Sequence, residues 1–74
     1  MNNFGMRQLV CAIILQAVKD YCAKNASDKK KDAIIMDLRS PYMDQISNGT
    51  SVIVAEQLEL HPVEIAKRLK VYEE

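Results

Sequence analysis

Leu9, Val10, Ile13, Ile14, Ala17, Val18 and Tyr21 recur at three- and four-residue spacing, and Cys11, Leu15 and Cys22 widen the stripe they form. That spacing gathers side chains on one face of a helix. The pattern predicts a helix over roughly residues 5 to 24, with only Gln8, Ala12, Gln16, Lys19 and Ala23 left to face water. So wide a stripe requires contacts on more than one side. The helix is therefore expected to be the central element, either surrounded by the others or forming a subunit interface.

Asn25-Ala26-Ser27-Asp28 is a stop-and-restart signal, since these short polar side chains accept from the free amides of a new first turn. The next helix is expected over about 28 to 38, with Ile34, Ile35 and Leu38 inward and Lys29 to Lys31 outward. Lysines at a helix N-terminus oppose the helix dipole, so this end is expected to fray. Ser40-Pro41 reads as an N-cap followed by proline at the first helical position. It opens a short helix over 41 to 47, with Tyr42, Met43 and Ile46 as its apolar members and Asn48-Gly49 as a left-handed stop. Thr50 or Ser51 then caps a helix through Leu60 that buries Val52, Ile53, Ala55, Leu58 and Val54. His61-Pro62 breaks it and starts a last helix with Val63, Ile65, Ala66 and Leu69 on one buried face. Ile and Val at 52 to 54 also suit a strand. The Ala-Glu-Gln-Leu-Glu-Leu continuation propagates helix instead, and no second strand-like segment exists to pair with. The fold expected is all-α, one domain over residues 1 to 74, built from five short helices.

A chain of 74 residues with 49% hydrophobic content, 2 Gly and 2 Pro is neither disordered nor collagen-like. Ten Lys and Arg balance ten Asp and Glu, which argues against a sequence-independent grip on nucleic acid or on an anionic membrane. Residues 1 to 37 carry six basic and four acidic side chains and residues 38 to 74 four and six, an asymmetry of +2 against −2 that suits antiparallel self-association or a mixed solvated surface. One core rarely stabilises so short a chain, so a homo-oligomer is expected. Cys11 and Cys22 lie about 16 Å apart along one helix and cannot bridge within the chain. The polar Met1-Asn2-Asn3 start has no secretory pattern, and the longest apolar run, Leu9 to Leu15, is seven residues against the roughly 20 of a membrane span. The expected setting is a reducing cytoplasm, with no membrane partner.

Little points to catalysis. There is one histidine, His61, placed to cap or link helices, and there is no Gly-rich phosphate loop, Cys-x-x-Cys pair or nucleophile motif. The cysteines lie on the apolar stripe and read as core, and the Asp28/Asp32 and Asp37/Asp44 pairs as solvated or capping. The expectation is a non-enzymatic protein without cofactor or metal. The most concrete candidate site is the helix start around Arg39, Ser40 and Tyr42. There a guanidinium, a hydroxyl and an aromatic ring suit a nucleotide-like anion, with Lys30 and Lys31 adding charge from a neighbouring subunit. Structurally, Arg39 would instead pair with Asp37 or Asp44, and Tyr42 would anchor the core. The second candidate is DNA. Val54 to Leu69 has the apolar register of a helix-turn-helix, with Lys67, Arg68 and Lys70 placed for phosphates, although Glu59 stands where such turns favour Gly.

Gln16-Ala17-Val18-Lys19-Asp20-Tyr21, a charged spacer, Leu38-Arg39-Ser40-Pro41-Tyr42-Met43 and Asn48-Gly49 together resemble a group of small helical proteins from prophages of Gram-positive bacteria. Those share a Gln-Ala-Val-Lys-Asp-Tyr helix, a Lys-rich spacer, an Arg-Ser-x-aromatic helix start and an x-Gly turn. The resemblance brings no assigned activity and no site residues. It implies a setting, the host bacterial cytosol, in which small phage proteins act by stoichiometric binding. They sequester a nucleotide messenger of host immunity, block a host defence protein, or regulate phage genes.

Overall fold

A computed structural model describes the backbone of residues 3–73 and the side-chain environments of residues 7–71; Met1, Asn2 and Glu74 lie outside it. Five helices follow one another, α1 (Asn3–Tyr21), α2 (Asp28–Leu38), α3 (Pro41–Ser47), α4 (Thr50–Leu60) and α5 (Pro62–Glu73), with no strand among the described residues.

The capping chemistry accounts for most boundaries. Ser27 Oγ accepts from the Lys30 amide at 3.1 Å and Ser40 Oγ from the Met43 amide at 3.2 Å, each satisfying one first-turn donor. With Ser27 as its cap and Asp28 in the first turn, offsetting the three lysines, α2 is helical from Asp28. α1 stops at Tyr21, three residues earlier than its periodicity suggests. Cys22 still donates to the Val18 carbonyl at 3.0 Å, but Ala23 reaches only the Asp20 carbonyl, at 3.4 Å, as the chain tightens and leaves the helix.

The link from α3 to α4 uses two left-handed residues, Asn48 at φ 56° and Gly49 at φ 86°. The Gly49 amide donates to the Asp44 carbonyl at 2.9 Å, closing α3. A Cβ on Gly49 would meet nothing nearer than Asp44 Oδ1 at 4.0 Å, so the glycine is required by its backbone angle and not by crowding. Gly49→Ala is expected to cost about 1–2 kcal/mol, the penalty of the left-handed region for an L residue, read as a lowered urea midpoint at unchanged slope. Gly49, and neither Thr50 nor Ser51, is the N-cap of α4. The work expected of those side chains is done from the preceding helix, where Ser47 Oγ accepts from the Ser51 amide at 3.0 Å and donates to Ser51 Oγ at 3.0 Å.

α4 is the hub, packed against each of the other four helices, while α1 packs mainly against α2, α3 and α4. The reason is size. Ser51 and Ala55 are fully buried on α4, and such small side chains let several helix axes approach it closely. The molecule measures 39 × 29 × 18 Å, and 18 Å is about two helix layers, which leaves every helix an outward face. The core is Val10, Ile14 and Val18 of α1 with Leu38, Met43, Ala55 and Leu58.

That geometry corrects several inward assignments. α1 is not surrounded: Leu9, Cys11, Ile13 and Leu15 are exposed beside the expected Gln8, Ala12 and Gln16. Ile53 and Val63 also face outward, because α4 and α5 turn narrower stripes inward than their sequences offer. Cys11 is exposed and lies outside the core, whereas Cys22 is half-buried and packs against it.

Candidate functional site

A groove of about 490 Å³ lies between α1, α2 and the start of α3. Ala17, Leu38 and Met43 form its floor, Ile13, Ile34 and Tyr42 its walls, and Gln16, Asp20, Asp37 and Ser40 its polar positions. Ile13, Gln16, Ala17 and Asp20 reach it together because residues three, four and seven apart share one side of a helix. None of the lining residues is basic. Gln16 Nε2 donates to Asp20 Oδ1 at 3.0 Å, and Asp37 makes no ion pair among the described residues.

The residues expected to hold an anion are divided by this arrangement. Ser40 and Tyr42 share the groove, where the Ser40 hydroxyl is engaged as the α3 cap. Tyr42 is 71% exposed, so it is not a core anchor. Arg39 pairs with neither Asp37 nor Asp44. Its Nε lies 3.4 Å from Glu59 Oε1 on α4, both side chains about half exposed, a contact worth at most about 1 kcal/mol. Lys30 is exposed outside the groove, and the Lys31 ammonium sits 5.7 Å from the centre of the Tyr21 ring. Burial pushes the Tyr21 phenol up, with Glu59 and Asp32 adding to it. Burial also raises the Cys22 thiol against the pull of Lys31, which leaves it a poor nucleophile at neutral pH.

On α5, Lys67, Arg68 and Lys70 are exposed but do not form one row. Arg68 borders a hollow with His61 and Glu64, while Lys70 borders another with Lys19 and Lys24. α4 and α5 are joined by His61 alone, whose amide donates to the Gln57 carbonyl at 2.8 Å and whose carbonyl accepts from Ile65 at 3.1 Å. A helix-turn-helix uses a turn of three or four residues. Among the described residues no group of three or more His, Cys, Asp or Glu is placed to hold a metal ion, and no helix is long and apolar enough to cross a membrane.

The groove's α1 wall was not singled out in the sequence. The 13, 16, 17, 20 spacing was the available signal, hidden inside a stripe that reads as uniformly apolar.

The geometry defines a small five-helix chain with an open apolar groove edged by carboxylates. No protein family, no characterised protein and no solved structure matches the chain.

Proposed function

We propose that this chain is a non-enzymatic accessory protein of phage type that neutralises a host component by stoichiometric binding, with the groove between α1, α2 and α3 as its binding surface. The prophage resemblance supports the setting. The lining of the groove supports the mode: an apolar floor, an exposed aromatic wall at Tyr42, and Asp20 and Asp37 with no basic residue among the lining. An amphipathic helix of a host defence protein, with apolar anchors and a flanking Lys or Arg, complements each of these features. Tyr42 has the character of a binding hot spot, being large, rigid and uncovered.

A nucleotide-like immune messenger is the alternative occupant. Tyr42 would stack on a base, and the weakly held Arg39 would turn from Glu59 to a phosphate. In the groove itself the two carboxylates meet a phosphate as like charges. The protein-partner form therefore fits better.

Tyr42→Ala and Asp37→Lys test the reading, since both positions are exposed and neither should unfold the chain. With helicity and melting temperature unchanged, the double variant is expected to lose at least about 10-fold in affinity for a host protein co-purified with the wild type. Undiminished binding would remove the groove as the site. A nucleotide retained by the wild type in native mass spectrometry, and lost in Arg39→Ala and Tyr42→Ala, would replace a protein partner with a sequestered messenger. Salt-dependent duplex binding lost in Lys67→Ala, Arg68→Ala and Lys70→Ala would place the function on α5 instead.

A further inference from the structure

The exposed side of α1 has an internal symmetry. Gln8-Leu9-Val10-Cys11-Ala12-Ile13-Ile14-Leu15-Gln16 reads almost the same in both directions about Ala12: Gln8 mirrors Gln16, Leu9 mirrors Leu15, and Val10 mirrors Ile14. Burial follows the same mirror. Val10 at 7% and Ile14 at 8% face the chain's own core, and every other position from 8 to 16 is exposed. Leu9 and Leu15, 62% and 48% exposed, stand three residues to either side of Ala12, and Gln8 and Gln16 stand four to either side. Offsets of three and four keep all of them on the face centred on Ala12.

A face with this symmetry complements itself. When a second helix runs antiparallel across it with a two-fold axis at Ala12, Leu9 of one protomer meets Leu15 of its partner and Gln8 meets Gln16, each contact made twice. The small Ala12 side chain lets the two axes approach closely where they cross. No charge interrupts residues 8 to 18, so the pairing buries no unpaired ion.

The protomer also has surface to spare. Its accessible area is 5881 Å², against roughly 4,600 Å² for an ordinary folded monomer of its 8.4 kDa mass. The excess, somewhat over 1,000 Å², is comparable with the roughly 800 Å² that each partner buries in a standard interface. We propose that the chain forms a two-fold homodimer by antiparallel packing of α1 on α1 about Ala12. The dimer does not rest on the groove reading: its seam is centred on Ala12 and shares Ile13 and Gln16 with the groove's α1 edge, whereas the groove's test positions, Asp37 and Tyr42, lie on α2 and α3.

Sedimentation equilibrium and site-directed crosslinking test this on the full chain. The wild type is expected at about twice 8.4 kDa, and Ala12→Arg, an exposed substitution, is expected to raise the dimer dissociation constant at least about 100-fold at unchanged helicity. With Cys11 and Cys22 replaced by serine, Ala12→Cys is expected to oxidise to a disulfide-linked dimer. Gln8→Cys alone is not, because its two copies would lie about 12 Å apart along the axis. A mixture of Gln8→Cys and Gln16→Cys chains is expected to crosslink heterotypically. A monomeric wild type, an Ala12→Arg dimer of undiminished affinity, or crosslinking of Gln8→Cys to itself would each overturn the proposal, the last by showing a parallel pair.

Discussion

Leu58→Ala is expected to remove about half of the stability of the fold, about 2–5 kcal/mol. Leu58 is fully buried on α4, the helix that touches all the others, so a cavity there loosens several interfaces together. Truncating a buried leucine costs about 2–5 kcal/mol, the upper part of the range applying where surrounding groups cannot collapse into the space. A domain of 74 residues has roughly 4–11 kcal/mol in total. Removing that share is expected to lower the melting temperature by roughly 8–40 °C, at about 4–8 °C per kcal/mol for a domain of this size. Urea denaturation followed by circular dichroism measures the loss, and Leu60→Ala supplies the control. Leu60 sits two residues away on the same helix but is 69% exposed, and its truncation should move the midpoint by less than about 0.5 kcal/mol. Equal losses for the two would mean that α4 is not the hub.

Ser47→Ala is expected to be more costly than Ser51→Ala, although Ser51 is the more deeply buried of the two. The hydroxyl of Ser47 holds both contacts of the pair, accepting from the Ser51 amide and donating to Ser51 Oγ. Removing it leaves a first-turn amide of α4 and a buried hydroxyl without that partner, a loss of about 1–3 kcal/mol. Removing the Ser51 hydroxyl leaves the amide bond to Ser47 in place, and the freed Ser47 proton can turn to a carbonyl one helical turn back. The expected cost is below about 1 kcal/mol. Chemical denaturation of the two single variants gives the order directly. The reverse order would show that Ser51 is held by packing and not by the link across Asn48-Gly49.

Local signals in the chain carried most of the helix boundaries. Ser27, Ser40-Pro41, Asn48-Gly49 and His61-Pro62 mark ends at which a short side chain satisfies a free amide, a proline fixes φ, or a glycine adopts a positive φ. Such interactions reach only three or four residues, so sequence order contains them. The burial pattern was less legible. Ile53, Val63, Leu9 and Leu15 are as apolar as residues that are buried, and periodicity alone cannot say which part of a wide stripe meets a neighbour. Ser51 erred in the other direction: a polar residue reads as a cap, and only its place against Ser47 makes it a buried one.

The candidate site divided in the same way. Tyr42 and Ser40 were legible as a helix start, and the structure brings both to a groove. The partner of Arg39 was not legible, because Glu59 stands twenty positions further along the chain and approaches only once α4 has packed beside α2. The acidic character of the groove depended on α1 presenting Asp20 to the same space as Asp37.

By itself the sequence determined five helices, their caps and breaks, and an apolar first helix too rich for one buried face. The tertiary structure alone decided that α4 is the hub, that α1 keeps an uncovered side symmetric about Ala12, and that Tyr42 opens onto carboxylates and not onto lysines. Helix formation is settled by contacts a few residues apart, whereas the choice of buried face is settled by which helices are small enough to meet.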